Sequence, residues 1–230
     1  MSIIDRRNIT GIEYLLIVAL IVTIVISATS CTPQPTTPQW SQTVVAVGDG
    51  QSYDTPLSRG WPSHLRDRGV PIDYVTTPGY GLDASLLRGN YIDRIIQRVN
   101  DDGCPRAFVI MVGSADFNNW NDSGLFLNYN TLNEAATTLG QFLLAEGCDT
   151  IWVAPPPGSD YSWDWQTLKD RTTYATWLTS QSWVTHSIEV LEFQQPDFTL
   201  SVSYAENEIR LNDLAQRVIA DRVQAELATI

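Results

Sequence analysis

Beyond residue 42 the apolar positions of this chain keep changing their period. Short apolar-rich runs, the pattern of strands buried on both faces, occur at Thr43–Val47, Ile72–Val75, Ala107–Val112, Thr150–Ala154 and Ile188–Phe193. Helical spacing fills the intervals, over Pro62–Arg68, Asp83–Val99, Thr131–Glu146 and Thr167–Gln181. A last segment, Leu211–Leu227, repeats its apolar residues at Leu211, Leu214, Ala215, Val218, Ile219 and Val223, a 3.6-residue period. Every strand is followed by a helix, the rhythm of a parallel sheet with crossover helices. Residues 42–230 are therefore expected to form a single three-layer α/β/α domain around a five-stranded parallel sheet.

The N-terminal pattern is different. No charge falls between Tyr14 and Ala28, and extension to Cys31 gives about 18 residues, or ~27 Å of helix, enough to cross a hydrocarbon core. The segment is apolar all round, which a helix on the surface of a core is not. A membrane helix or signal segment is expected over 14–30, after an n-region at 1–13. Arg6 and Arg7 precede it, so the positive-inside bias places the rest of the chain outside the cytoplasm. Residues 31–41 are uncharged and rich in Pro and Thr, the composition of an extended, solvated tether. Ala28-Thr29-Ser30-Cys31 resembles a bacterial lipobox, which implies lipidation of Cys31. Arg6 through Tyr14, followed by LLIVALIV, resembles instead the N-terminal signal of Flp-type pilins, with Glu13-Tyr14 as its acidic-aromatic pair. It departs from that signal at Asn8, where the family has Gly before the cleaved bond. An uncleaved anchor is the third alternative. Under all three, residues 40–230 are expected outside the bacterial cell membrane and tethered to it.

Composition narrows the partners. Of 230 residues 43% are apolar, enough for one good-sized core, and eight Trp beside 14 Gly and 12 Pro exclude collagen-like and disordered classes. Fourteen basic residues against 26 acidic ones give −12, and the four charges of the first 40 residues cancel, so the excess belongs to the domain. Such a surface excludes nucleic acid, whose phosphates need a cationic footprint. With no CxxC and two His in the chain, no zinc site is expected, and no cofactor. Cys104 and Cys148 stand just before the third and fourth strands, where a disulfide is geometrically reasonable. Two buried thiols are the alternative.

Ligands of open α/β sheets bind beyond the carboxyl ends of the strands. There the chain reads Gly48-Asp49-Gly50-Gln51-Ser52-Tyr53-Asp54, then Thr77-Pro78-Gly79-Tyr80-Gly81, then Gly113-Ser114-Ala115-Asp116-Phe117. Glu206-Asn207-Glu208-Ile209-Arg210-Leu211-Asn212-Asp213 leads into the last helix. In this order and on these elements, VVAVGDGQSYD, TTPGYG, FVIMVGSAD and RLNDLAQRVIADRV resemble the blocks of the SGNH (GDSL-type) hydrolases. The likeness covers nearly all of residues 42–228. It implies that family's flavodoxin-like fold and an esterase-like cleft. The catalytic positions do not carry over. The nucleophilic Ser position reads Gly50, and the Asn of the oxyanion hole reads Ala115. The Asp and His positions read Asn207 and Arg210, while the oxyanion glycine is kept as Gly79. A glycine supplies no nucleophile, and a guanidinium is no base near neutral pH.

The expectation is a pseudo-hydrolase that binds an envelope glycan or a protein partner through the vacated cleft. The alternative is an active esterase or acyl-transfer enzyme with displaced catalytic residues, Ser52 with His64 or His186 being the group to consider. An Asp-based or metal-dependent hydrolase at Asp49 and Asp116 is a third reading. Arg210 is expected to pair with Asp49 or Asp116, or to offer its fork to a ligand. Tyr53, Tyr80, Phe117, Trp120, Tyr161, Trp163, Trp165 and Tyr204 fall on the same edge, among Asn and Asp residues. Rings that stack on sugar faces beside groups that bond hydroxyls are the means of glycan binding.

Overall fold

The computed structural model describes residues 40–75, 91–114, 116–117, 129–158, 165–207 and 210–230, with no side-chain description at 129–131 and 165–167. The expected membrane segment, the tether and Cys31 lie outside these residues. Among the described residues no helix is long and apolar enough to cross a membrane.

Five parallel strands form one sheet in the order β2-β1-β3-β4-β5. They are β1 (Val44–Gly48), β2 (Ile72–Tyr74), β3 (Ala107–Met111), β4 (Thr150–Val153) and β5 (His186–Ile188). The register runs Val44 opposite Ile72 on one side of β1, and Val44 opposite Ala107 through Gly48 opposite Met111 on the other. The crossovers carry α1 (Trp61–Asp67), α2 (Tyr91–Asp102), α3 (Tyr129–Ala145) and α4 (Trp165–Thr179), and α5 (Asp213–Leu227) ends the chain.

Strand alternation sends successive side chains to opposite faces, which yields two cores. Val45, Val47, Phe108, Ile110 and Trp152 pack with Ile95 and Val99 of α2, Leu139 and Leu143 of α3, and Leu178 of α4. Val44, Ala46, Val109, Met111 and Ile151 pack with Trp61 and Leu65 of α1 and with Ala215, Ile219 and Val223 of α5. Both faces of the central strands are dry, so their apolar runs are continuous, as the three-layer expectation requires.

Two elements differ from expectation. The fifth strand is shorter and earlier than Ile188–Phe193: β5 pairs with β4 only from Ile151–His186 to Val153–Ile188. The chain then leaves the sheet, and Leu191–Phe193 form a 3-10 turn that buries Phe193. The last helix opens at Asp213 rather than Leu211. Asn212 caps it by accepting from the Ala215 amide at 3.0 Å, while Leu211 bridges Ala205 in an antiparallel pair. The remaining elements fall within a few residues of their expected bounds, except that 83–90 lie outside the described residues.

Cys104 and Cys148 are disulfide-bonded, with Cα atoms 5.2 Å apart, at the amino ends of the adjacent strands β3 and β4. Gly140, midway along α3, leaves the space that the Trp183 ring fills; a Cβ there would lie 2.1 Å from that ring.

Candidate functional site

In this strand order the connections turn in opposite directions on either side of β1, so the switch point lies between the carboxyl ends of β1 and β3. β1 ends at Gly48, and the Asp49 carboxylate accepts from the Gln51 amide at 3.0 Å. With the Ser52 amide donating to Asp49 O at 3.0 Å, this closes one 3-10 turn over Gly50–Ser52. Asp49 is buried and shapes the turn, the ordinary use of a carboxylate at a strand end. Gly50 heads the turn, and a Cβ built there meets no atom within 4 Å. Gly50, the residue expected at the nucleophile position, thus faces open space among the described residues.

Ser52 is placed differently. It is buried, and its Oγ accepts from Trp61 Nε1 at 3.1 Å. Two glycines give it room: a Cβ on Gly48 would lie 2.0 Å from Ser52 Oγ, and one on Gly60 would lie 2.2 Å from Ser52 O. Neither histidine reaches it. His64 Nε2 lies 3.1 Å from Asp213 Oδ1, between α1 and α5. His186 opens β5, at the amino edge of the sheet, and its Nδ1 lies 2.9 Å from Glu226 Oε2.

The opposite wall comes from the loop before α5. Glu206 N donates to Arg210 O at 2.8 Å, and Asn207 Oδ1 accepts from Arg210 N at 3.0 Å, so the Arg210 backbone is held from both sides. Glu206 in turn accepts from Thr55 Oγ1 at 2.7 Å. Leu211 N donates to Gln51 Oε1 at 3.1 Å, Gln216 Nε2 donates to Gln51 O at 2.7 Å, and Gln216 Oε1 accepts from Trp61 N at 2.9 Å. This buried amide lacing ties the Gly50 turn to the Arg210 loop. It comes from Gln51 and Gln216, which sequence reasoning passed over because glutamine carries no chemistry of its own.

The expected ion pair of Arg210 with Asp49 or Asp116 is not formed. Asp49 is turned to the Gln51 amide, and the half-buried Arg210 guanidinium has no ion-pair or hydrogen-bond partner among the described residues. Asp116 is buried in the turn after β3, where Phe117 N donates to Gly113 O at 2.9 Å and Gly113 has φ +121°. In that same turn the Ser114 Oγ is buried without a hydrogen-bond partner. Phe117 belongs to the core, edge-on to Tyr174 at 6.1 Å, and Tyr204 packs on Phe193 at 4.5 Å, so neither is a loose rim ring. Gly79, Tyr80, Ala115, Trp120, Tyr161 and Trp163 lie outside the described residues, as does the Trp165 side chain.

One buried cation escaped sequence reasoning. Arg171 of α4 is 1% exposed and donates through Nε to Pro155 O and through Nη1 to Gln194 Oε1, at 2.9 Å for the latter. Burial lowers its pKa to about 10, with Glu189 acting in the opposite sense. Arg171 shares a helical face with Leu168 and Leu178, and that spacing was the available signal. Among the described residues no group of three or more His, Cys, Asp or Glu is placed to hold a metal ion.

No protein-family model matches the chain, and no curated protein does. Solved structures do. A GDSL-like lipase from Bacteroides thetaiotaomicron superposes with TM-score 0.62 at 11% identity, covering 90% of this chain and 97% of its own. The psychrotrophic esterase EstA from Pseudoalteromonas gives 0.54 at 16%, covering 82% and 97%. An acetyl xylan esterase gives 0.55 at 17%, covering 80% and 98%. At these identities the likeness establishes the fold, that of the SGNH (GDSL-type) hydrolases.

Proposed function

We propose that this chain, with its SGNH hydrolase fold, is an extracytoplasmic, membrane-tethered pseudo-hydrolase that binds a ligand in the cleft its relatives use for ester cleavage. The observation that carries the reading is Gly50. The nucleophile position has no side chain, and Ser52, His64 and His186 are each engaged elsewhere. A guanidinium, which Arg210 brings to the expected base position, is not a general base for a hydroxyl or water. With nucleophile and base both gone, a remaining oxyanion donor has nothing to stabilise.

The ligand is an envelope glycan. The neighbours include an acetyl xylan esterase, and the segments that follow β3 and β4 in sequence are rich in Trp, Tyr, Asn and Asp. The test is turnover of p-nitrophenyl acetate by the full chain in neutral detergent, beside labelling with a fluorophosphonate. A rate equal to buffer and no adduct are the expected results. A covalent adduct, at Ser52 or elsewhere, would instead establish an active esterase with displaced groups, the activity for which several structural neighbours are named. Binding is then tested on immobilised glycans with Trp163→Ala/Trp165→Ala. Loss of retention with an unchanged unfolding temperature is expected, and unchanged retention would remove the glycan reading.

A further inference from the structure

Resting on the cleft reading above, we infer that the glycan is anionic, and that Arg210 holds its carboxylate or phosphate group. Among the described arginines, Arg59 pairs with Asp67, Arg98 with Asp73 and Arg222 with Glu192, Arg66 lies over the Tyr74 ring, and Arg106 and Arg171 donate to carbonyls. Arg210, half-buried where Arg94 is exposed, has no such partner among the described residues, on a chain where acidic residues outnumber basic ones 26 to 14. Among the described carboxylates of these two loops, Glu206 accepts from Thr55 Oγ1 and Asp49 from the Gln51 amide. Asn207 caps the Arg210 amide without bringing a charge. An aspartate there would cap the same amide and supply the missing counter-ion. The site thus keeps the geometry of a capped loop and, among the described residues, leaves its cation uncompensated.

Two further features converge on this edge. The Gln51–Leu211 hydrogen bond joins the residues that directly follow Gly50 and Arg210, so the open space at Gly50 adjoins the Arg210 loop. The Ser114 hydroxyl, more than nine-tenths buried and without a partner, sits at the carboxyl end of β3, the strand that pairs with β1. A sugar acid entering the space at Gly50 offers what these groups lack: oxygens for a forked guanidinium and an acceptor for a hydroxyl. A neutral sugar satisfies only the hydroxyl.

The experiment is calorimetric titration of the full chain in neutral detergent with trigalacturonate, its fully methyl-esterified form, and glucose 6-phosphate. Wild type, Arg210→Ala and Arg210→Lys are compared, each with its unfolding temperature. The Arg210 guanidinium makes no hydrogen bond or ion pair among the described residues, so the variants are expected to unfold close to the wild-type temperature. A charge-assisted contact predicts that an acidic probe binds wild type about tenfold or more tighter than the ester. Arg210→Ala should erase that preference and Arg210→Lys restore part of it. Preference for trigalacturonate identifies a carboxylate ligand, and preference for glucose 6-phosphate a phosphorylated one. Equal binding of acid and ester, or a preference that survives Arg210→Ala, overturns the inference while leaving a glycan cleft in place. Absence of binding to every probe, with a fluorophosphonate adduct on the same sample, overturns both.

Discussion

Gln51 Oε1 accepts the amide of Leu211 at 3.1 Å across 160 residues of chain, and the Gln51 carbonyl accepts from Gln216 at 2.7 Å. The first strand's turn is therefore tied to the loop before the last helix by the Gln51 side chain and to the helix itself by that of Gln216. Gln51→Ala leaves the buried Leu211 amide without its acceptor, a loss of about 1–3 kcal/mol. A lower urea midpoint with an unchanged m-value is expected.

The three glycines around the turn should answer differently to a side chain. At Gly50 there is open space, so Gly50→Ser is expected to alter stability by no more than about 0.5 kcal/mol. At Gly48 and Gly60 an added Cβ lands within 2.2 Å of Ser52 atoms. Gly48→Ala and Gly60→Ala are expected to cost about 1–3 kcal/mol or more as the turn shifts. Thermal unfolding of the three variants side by side checks the order.

The Cys104–Cys148 bridge spans 44 positions. In the chain-entropy model a loop of that size is worth about 4 kcal/mol. A Cys104→Ser/Cys148→Ser variant should unfold at correspondingly lower urea, and reduction of the wild type should reproduce the shift.

Asp213 supplies an acid-sensitive joint between α1 and α5. Burial alone would raise its carboxyl, but the Arg59 amide, His64 and Arg217 hold it below the usual range. A carboxyl lowered in the folded state contributes stability that is complete above its unfolded pKa, about 3.9, and is lost as pH falls through the folded value. Asp213→Asn lacks that contribution throughout. Its deficit against wild type, from urea unfolding, should be present at pH 7 and shrink below about pH 4.

The strand runs announced themselves because both faces of the sheet are dry; Val44 to Val47 read as unbroken apolar sequence for that reason. The fifth strand misled because Ile188 and Phe193 are both buried although only the first is in the sheet. Apolar spacing reports burial, and burial was shared by a strand and a 3-10 turn. At the site, the substitutions at Gly50, Asn207 and Arg210 were legible as departures from a known pattern. The isolation of Arg210 was not. Whether a guanidinium finds a carboxylate depends on which donors have already claimed Asp49 and Glu206, and those donors, Gln51 and Thr55, become neighbours only in the fold. Arg171 shows the same limit, since its acceptors come from a loop and a turn that follow different strands.

The space left by Gly140 has an optical consequence. Trp183 seated there lies 5.0 Å from Trp152 and 6.0 Å from Trp177; Trp177 stacks on Tyr174 at 5.7 Å, and Tyr174 meets Phe117. An unbroken file of rings thus runs from β4 to Phe117, the neighbour of Asp116 on the edge where ligand is proposed to enter. Indoles fixed at such separations give near-ultraviolet circular dichroism that vanishes when packing loosens. Loosening of this face of the domain can therefore be followed on the unmodified protein, with its own tryptophans as the dye.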